Sequence, residues 1–319
     1  MKITAVKPWI IQFPWPQRPG DPPQRHRQRE LVFTQVDTDA GLTGWGEVTT
    51  YPGAAGNRAI AHMIREVGAT LIGRDPAHIE RIGHDTIRLL TYVGTRGAVS
   101  AIDIALWDIR GKALGLPIYM LLGGPVRESI ALYTHPPQVT DVESAVADAT
   151  AIVDAGYKAM KFDPMIRAIP ECNAHYMDGQ LSREGMETAW EITAAIRAAV
   201  GPGIEILIDA HGKFNVPTAI DLCRGPEESD IFWFEEPVPV ESNHALRQVR
   251  ERVSAKISVG ERLFTRWEFV DIFEQELADF IMPDVTWTGG ISEFKKIATL
   301  TESYYVPISP HDTSGPINV

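Results

Sequence analysis

Three acidic residues close three successive hydrophobic runs. Asp209 ends Ile206-Leu-Ile-Asp209, Glu235 ends Phe232-Trp-Phe-Glu235, and Glu261 ends Val259-Gly260-Glu261, each 26 residues from the last. If the runs are adjacent parallel strands, the carboxylates point at one place. Such a group shares a water-poor pocket only when a cation neutralises it. A single acid at a strand end serves equally well as a helix cap or an arginine partner, but three in register favour a metal. Donors made of oxygen alone suit Mg²⁺ better than zinc. Glu236 adjoins Glu235, and strand alternation sends the two to opposite faces. Glu235 is taken as the ligand, with Glu236 the alternative.

Two histidines stand near this series. His311 follows Ile308-Ser-Pro310, and Asp284 follows Phe280-Ile-Met-Pro283, one unit earlier. Asp284 placed against His311 would fix the tautomer of the imidazole and raise its basicity, which makes a general base near neutral pH. His211 lies two residues past Asp209, is aimed at the same side, and could act as an acid. Lys161-Phe-Asp163 puts a cation and an acid on one face of an earlier strand. A salt bridge within the fold is the plainer role for that pair.

The elements that would position these groups are βα units. Short β-rich segments fall at 129–134, 157–162, 205–210, 231–236, 257–261, 279–283 and 307–310. Helical segments alternate with them at 141–154, 182–200, 216–224, 242–252, 266–275 and 291–303. Repeated βα units imply a parallel sheet with right-handed crossovers, and seven such strands suggest a closed barrel. Reactive groups of a β/α barrel lie at the C-terminal strand ends, where all these candidates fall. The chain ends at Val319, before a last barrel strand.

Residues 1–125 have another character. Ile3 to Phe13 and Leu31 to Val36 are β-rich, with turn glycines at Gly41 and Gly44 ahead of Trp45-Gly-Glu47. Residues 57–123 read as helices, with Ile102, Ala105, Leu106 and Ile109 on one buried face. Gly123-Gly124-Pro125 marks a boundary, so a small α+β unit (1–125) precedes the barrel (126–319). A proline-rich loop from Pro14 to Arg29 carries Arg25 and His26.

The 319 residues carry a net charge of −12, which argues against nucleic acid or an anionic membrane as partner. The two cysteines, Cys172 and Cys223, build no disulfide framework. With no signal peptide or long apolar run, a cytoplasmic protein is expected.

Taken together, these residues resemble the enolase superfamily, in its mandelate racemase/muconate lactonizing enzyme-like branch. The resemblance covers nearly the whole chain. It rests on Gly44-Trp-Gly-Glu47, Ala101-Ile-Asp-Ile-Ala-Leu-Trp-Asp108, Leu122-Gly-Gly124, the Asp209, Glu235 and Glu261 series, Pro283-Asp284 and Pro310-His311. It implies an α/β fold: a modified (β/α) TIM-type barrel with an N-terminal α+β capping domain. It also implies Mg²⁺ on a substrate carboxylate and a base that removes the α-proton, with His311, Asp284, His211 and Lys161 as catalytic groups. Asp163, Glu47, Arg25 and His26 would contact substrate, and the loops 14–29 and 49–56 would select it.

Racemases and cycloisomerases of this branch commonly carry a second lysine, a base, where this chain has Asp163. Its absence disfavours two-base racemisation. The pair Asp209 and His211 resembles galactonate dehydratase-like enzymes, in which the histidine helps a β-hydroxide leave. The resemblance therefore implies a sugar-acid dehydratase, a hydro-lyase giving a 2-keto-3-deoxy acid. The alternatives are a racemase, epimerase or cycloisomerase working through the same enolate, a silent metal-binding protein, and a two-metal hydrolase. A homo-oligomer is the implied assembly.

Overall fold

A computed structural model describes residues 1–14, 28–49, 54–90, 97–136, 139, 141–165, 179–312 and 315–317. Arg25 and His26 lie outside the described residues, as do residues 50–53 of the second expected loop. The chain divides into two compact units. One comprises Met1–Val126, Glu261–Phe269 and Met282–Val319, and the other Arg127–Gly260 and Val270–Ile281.

The first unit contains the antiparallel sheet β1 (Ile3–Pro14), β2 (Gln28–Thr38) and β3 (Thr43–Glu47), in the order β1-β2-β3. Its helices are α1 (Ala54–Ala69), α2 (Ile79–Leu90), α3 (Gly97–Leu114) and the short α4 (Ile118–Leu121). Val32, Val36, Ile64, Leu71, Ile102, Leu106 and Ile109 form its core. The Gly-Trp-Gly-Glu stretch has a steric origin. A Cβ on Gly44 would lie 2.1 Å from the Ala105 carbonyl oxygen, and one on Gly46 would lie 1.9 Å from that of Ala101. Strand backbone therefore rests on helix backbone, which only glycine allows. Asp108 ties the same two elements, accepting from the Trp45 N–H at 2.8 Å and from Lys112 Nζ at 2.7 Å.

The second unit is built on βα repeats. Its strands β4 (Ala159–Phe162), β5 (Glu205–Asp209), β6 (Ile231–Glu235), β7 (Ile257–Val259) and β8 (Phe280–Ile281) form one parallel sheet in the order β4-β5-β6-β7-β8. The intervening helices are α5 (Val142–Asp154), α6 (Arg183–Val200), α7 (Val216–Cys223) and α8 (Asn243–Arg250), while α9 (Thr265–Glu274) belongs to this unit only from Val270 onward. Helix α10 (Gly290–Ser303) follows β8 in sequence and belongs to the first unit. Side chains fix where four of these helices begin. Asp141, Ser182, Asn215 and Ser242 each accept from a backbone N–H of the first turn. A parallel sheet with helical connections is the β/α architecture the sequence implies.

Two expected strands are reduced. In 129–134 only Thr134 pairs, by a single parallel bridge to Met160. Ile130 and Leu132 are 72% and 62% exposed, so the apolar alternation there buries nothing that would hold a ladder. In 307–310 only Ile308 makes a bridge. No described helix is long and apolar enough to cross a membrane.

Candidate active site and metal centre

In the second unit the acids are placed by register. Buried Ile206, Leu207 and Ile208 hold β5 in the sheet, and Asp209 ends it opposite Glu235, the last residue of β6. Glu235 in turn pairs with Ser258 of β7. Lys161 reaches in from β4. Its side chain is 1% exposed, and its Nζ lies 2.5 Å from Glu235 Oε1 and 3.4 Å from Asp209 Oδ2. One buried cation thus serves two buried carboxylates. Glu236 leaves the strand with φ 40°, and its N–H donates to the Ser258 carbonyl at 2.9 Å. It is Glu235, therefore, that shares the lysine with Asp209.

His211 arrives by a turn rather than by strand alternation. Its backbone is left-handed, with φ 54°, and its N–H donates to Asp209 Oδ1 at 2.9 Å. The ring then lies between two acids, with Nδ1 3.1 Å from Asp163 Oδ2 and Nε2 3.3 Å from Asp209 Oδ2. Burial pulls the imidazole pKa down, but the Asp209 and Asp163 carboxylates outweigh it, so the net shift is upward. Lys213, two residues on, pairs with the same Oδ2 of Asp163. Lys161 and Asp163, adjacent on one face in sequence terms, are thus tied to different partners.

In the first unit His311 is held by four neighbours. Its N–H donates to the Pro283 carbonyl at 3.1 Å, which sets it beside Asp284. Its Nδ1 lies 2.9 Å from Asp284 Oδ2, and its Nε2 lies 2.9 Å from Glu261 Oε2. The Trp287 ring packs against the imidazole at a centroid distance of 5.3 Å. Asp284 is fixed from its other oxygen, where Oδ1 accepts from both the N–H and the hydroxyl of Thr286 at 2.7 Å. Two carboxylates, Asp284 at Nδ1 and Glu261 at Nε2, thus fix the imidazole from both sides. Glu261 is buried and also pairs with Arg262 at 3.0 Å.

Glu47 has a structural setting. It is buried, and its Oε2 accepts from the Ile317 N–H at 3.1 Å. Burial raises its pKa above the usual carboxylate range, against the backbone hydrogen bonds from Ile317 and Gly315. Lys213, Thr286 and Trp287 were not among the residues sequence reasoning singled out. Only the charge of Lys213, two places past His211, offered a signal.

Known proteins match this arrangement along nearly the whole chain. Residues 144–319 match the enolase C-terminal domain-like family. Residues 12–123 match the mandelate racemase/muconate lactonizing enzyme N-terminal domain. The chain belongs to the enolase superfamily, in the mandelate racemase/muconate lactonizing branch, and is an enzyme of that superfamily. A D-galactonate dehydratase family member from Streptomyces bingchenggensis is 34% identical over 315 residues, covering 90% of this chain and 74% of its own length. A D-gluconate dehydratase from Thermoproteus tenax is 31% identical over 326 residues, covering 98% of this chain and 63% of its own length. A solved enolase superfamily member from Salmonella Typhimurium has a TM-score of 0.87 at 32% identity, covering 99% of this chain and 82% of its own. Such neighbours carry an N-terminal capping domain and a (β/α) barrel, the fold class expected from the sequence.

Proposed function

We propose that this chain is a Mg²⁺-dependent sugar-acid dehydratase that converts an aldonate to a 2-keto-3-deoxy acid. The observation that carries the reading is a repeated geometry. Each of two histidines has a buried carboxylate on its Nδ1: Asp284 for His311, and Asp163 for His211. Elimination of water next to a carboxylate needs one base and one acid, each oriented, and this chain supplies both.

The donor set fits a hard divalent cation. Asp209, Glu235 and Glu261 are all buried, offer only oxygen, and together could hold a metal ion. Lys161 is the counter-charge beside two of these acids. When bound, the cation supplies positive charge for carboxylate oxygens on which charge builds as the α-proton leaves.

In this reading His311 takes the proton from Cα through Nε2, with Asp284 holding the ring. The C–H electrons form the Cα–Cβ double bond and the Cβ–O bond breaks. His211 gives its proton to the departing hydroxide, so water leaves, and the remaining enol tautomerises to the keto acid. No oxidant or reductant is required. Residues 1–125 serve as the capping domain and residues 126–319 as the barrel, and the loops 14–29 and 49–56, with Arg25 and His26, select the substrate. The names of the Streptomyces and Thermoproteus relatives support an aldonate.

The test is incubation with Mg²⁺ and a panel of aldonic acids, D-galactonate and D-gluconate included, with 2-keto acid trapped by semicarbazide. Keto acid that requires Mg²⁺ and vanishes in His311→Asn is the expected result. Exchange of the α-proton with no keto acid from any member of the panel would overturn the dehydratase reading in favour of an isomerase.

A further inference from the structure

We propose that Lys213 and Asp163 act as one positioning unit for His211. The inference rests on the reading of His211 as the proton donor, and gives Asp163 a different task from substrate contact.

Asp163 lies just beyond β4 and is buried. Its Oδ1 accepts from the Met165 N–H at 2.9 Å, which locks the carboxylate to its own backbone. Its Oδ2 faces both His211 Nδ1, at 3.1 Å, and the Lys213 ammonium. Both oxygens are thus engaged by this chain. His211 sits in a left-handed turn, so no strand geometry aims its ring. Its orientation depends on what its nitrogens meet.

Lys213 leaves the same turn, with its N–H donating to the Ala210 carbonyl at 3.2 Å, and reaches across to Asp163. The ammonium compensates the buried carboxylate and holds its rotamer. Asp163 thereby holds the Nδ1 side of the His211 ring, with Nε2 turned to Asp209 Oδ2 at 3.3 Å on the side of the proposed metal site. Lys213 pairs with the carboxylate that meets His211 Nδ1, so it positions and does not itself react.

The test uses the full chain with Mg²⁺ on D-galactonate and D-gluconate, comparing Lys213→Met, Asp163→Asn, the double variant and Lys213→Arg. Each disruptive single variant is expected to lower kcat about 10- to 100-fold, with KM close to wild type. The double variant should be no worse than the poorer single one, because the pair acts as a unit. Lys213→Arg should restore most of kcat, since a guanidinium also pairs with a carboxylate. Wild-type kcat in Lys213→Met, or single effects that multiply in the double variant, would overturn the proposal.

A second readout needs no turnover. Imidazole ¹⁵N spectra in mildly alkaline buffer, with His211 assigned by its loss in His211→Asn, should show one tautomer in wild type, protonated at Nδ1. Lys213→Met and Asp163→Asn should show mixed tautomers. That pattern, with α-proton exchange but no keto acid from any member of the aldonate panel, would uphold the positioning and defeat the dehydratase reading. An unchanged tautomer in all three proteins would defeat the positioning.

Discussion

The Lys161 ammonium lies 2.5 Å from Oε1 of Glu235, two strands away across β5, and both side chains are buried. This lysine stands as the resident counter-ion of the proposed metal site. Lys161→Met should therefore unfold far more easily than wild type in chelator. Loss of one partner of a buried pair typically costs about 3–5 kcal/mol. Added Mg²⁺ should narrow that gap, because a bound cation stabilises the native state by mass action. Denaturant melts with and without Mg²⁺ measure both effects. Equal stability of variant and wild type in chelator would contradict the account.

Asp284 is the orienting group for His311. Asp284→Asn keeps the shape but presents an amide where the imidazole N–H points, which favours the wrong tautomer. A fall in kcat of about 10²–10⁴-fold is expected, as in other oriented-histidine sites. Thermal melting should change little by comparison. Steady-state kinetics and α-proton exchange in D₂O report the loss, and a variant that exchanges at the wild-type rate would refute the role.

Asp103 gives a pH signature remote from the chemistry. It is buried in α3, accepts from the Ser292 N–H at 3.0 Å, and has its pKa raised from 3.8 to about 7. Burial is the main cause, opposed by the Ser292 hydrogen bonds, with Glu80 raising it further and Lys296 lowering it. The folded pKa exceeds the unfolded one. Its stabilising contribution is thus complete below the unfolded value of 3.8 and is lost as pH rises through about 7. Asp103→Asn removes that loss. The variant should gain on wild type at mildly alkaline pH by an amount on the order of 1–4 kcal/mol, and gain little in acid. A stability difference that does not vary with pH would contradict this.

Gly46 tests the steric origin of its motif. The alanine Cβ would sit 1.9 Å from the Ala101 carbonyl oxygen, a backbone atom with little freedom to move. Gly46→Ala should destabilise by about 1–3 kcal/mol or more. Differential scanning calorimetry would show it, and an unchanged Tm would mean that β3 does not rest on α3 as described.

Much of this was legible in the sequence because it is written in local chemistry. Hydrophobic runs that stop at an acid mark β5 and β6, and Asp141, Ser182, Asn215 and Ser242 announce helix starts. The contact of Asp284 with His311 followed from strand ends one unit apart. What escaped depends on turns and long-range packing. His211 lies against Asp163 only because φ at 211 is positive, and Lys213 joins them through the same turn. Glu47 shows the same limit. The resemblance implied a substrate contact for it; residues 315–317 supply backbone N–H groups that it accepts from, and no local pattern announces those. Segment 129–134 has the alternation of a strand, but its exposed Ile130 and Leu132 show that alternation alone does not make a ladder.

The central claim is a division of labour between His311, which removes the α-proton, and His211, which delivers a proton to the leaving hydroxide. Its most direct test compares His211→Asn with His311→Asn in D₂O with Mg²⁺ and an aldonate, following α-deuterium and keto acid together. The account predicts that His211→Asn still exchanges the α-proton while keto acid falls about 10²–10⁴-fold, and that His311→Asn loses both. Keto acid formed by His211→Asn at the wild-type rate, or exchange surviving in His311→Asn, would contradict it.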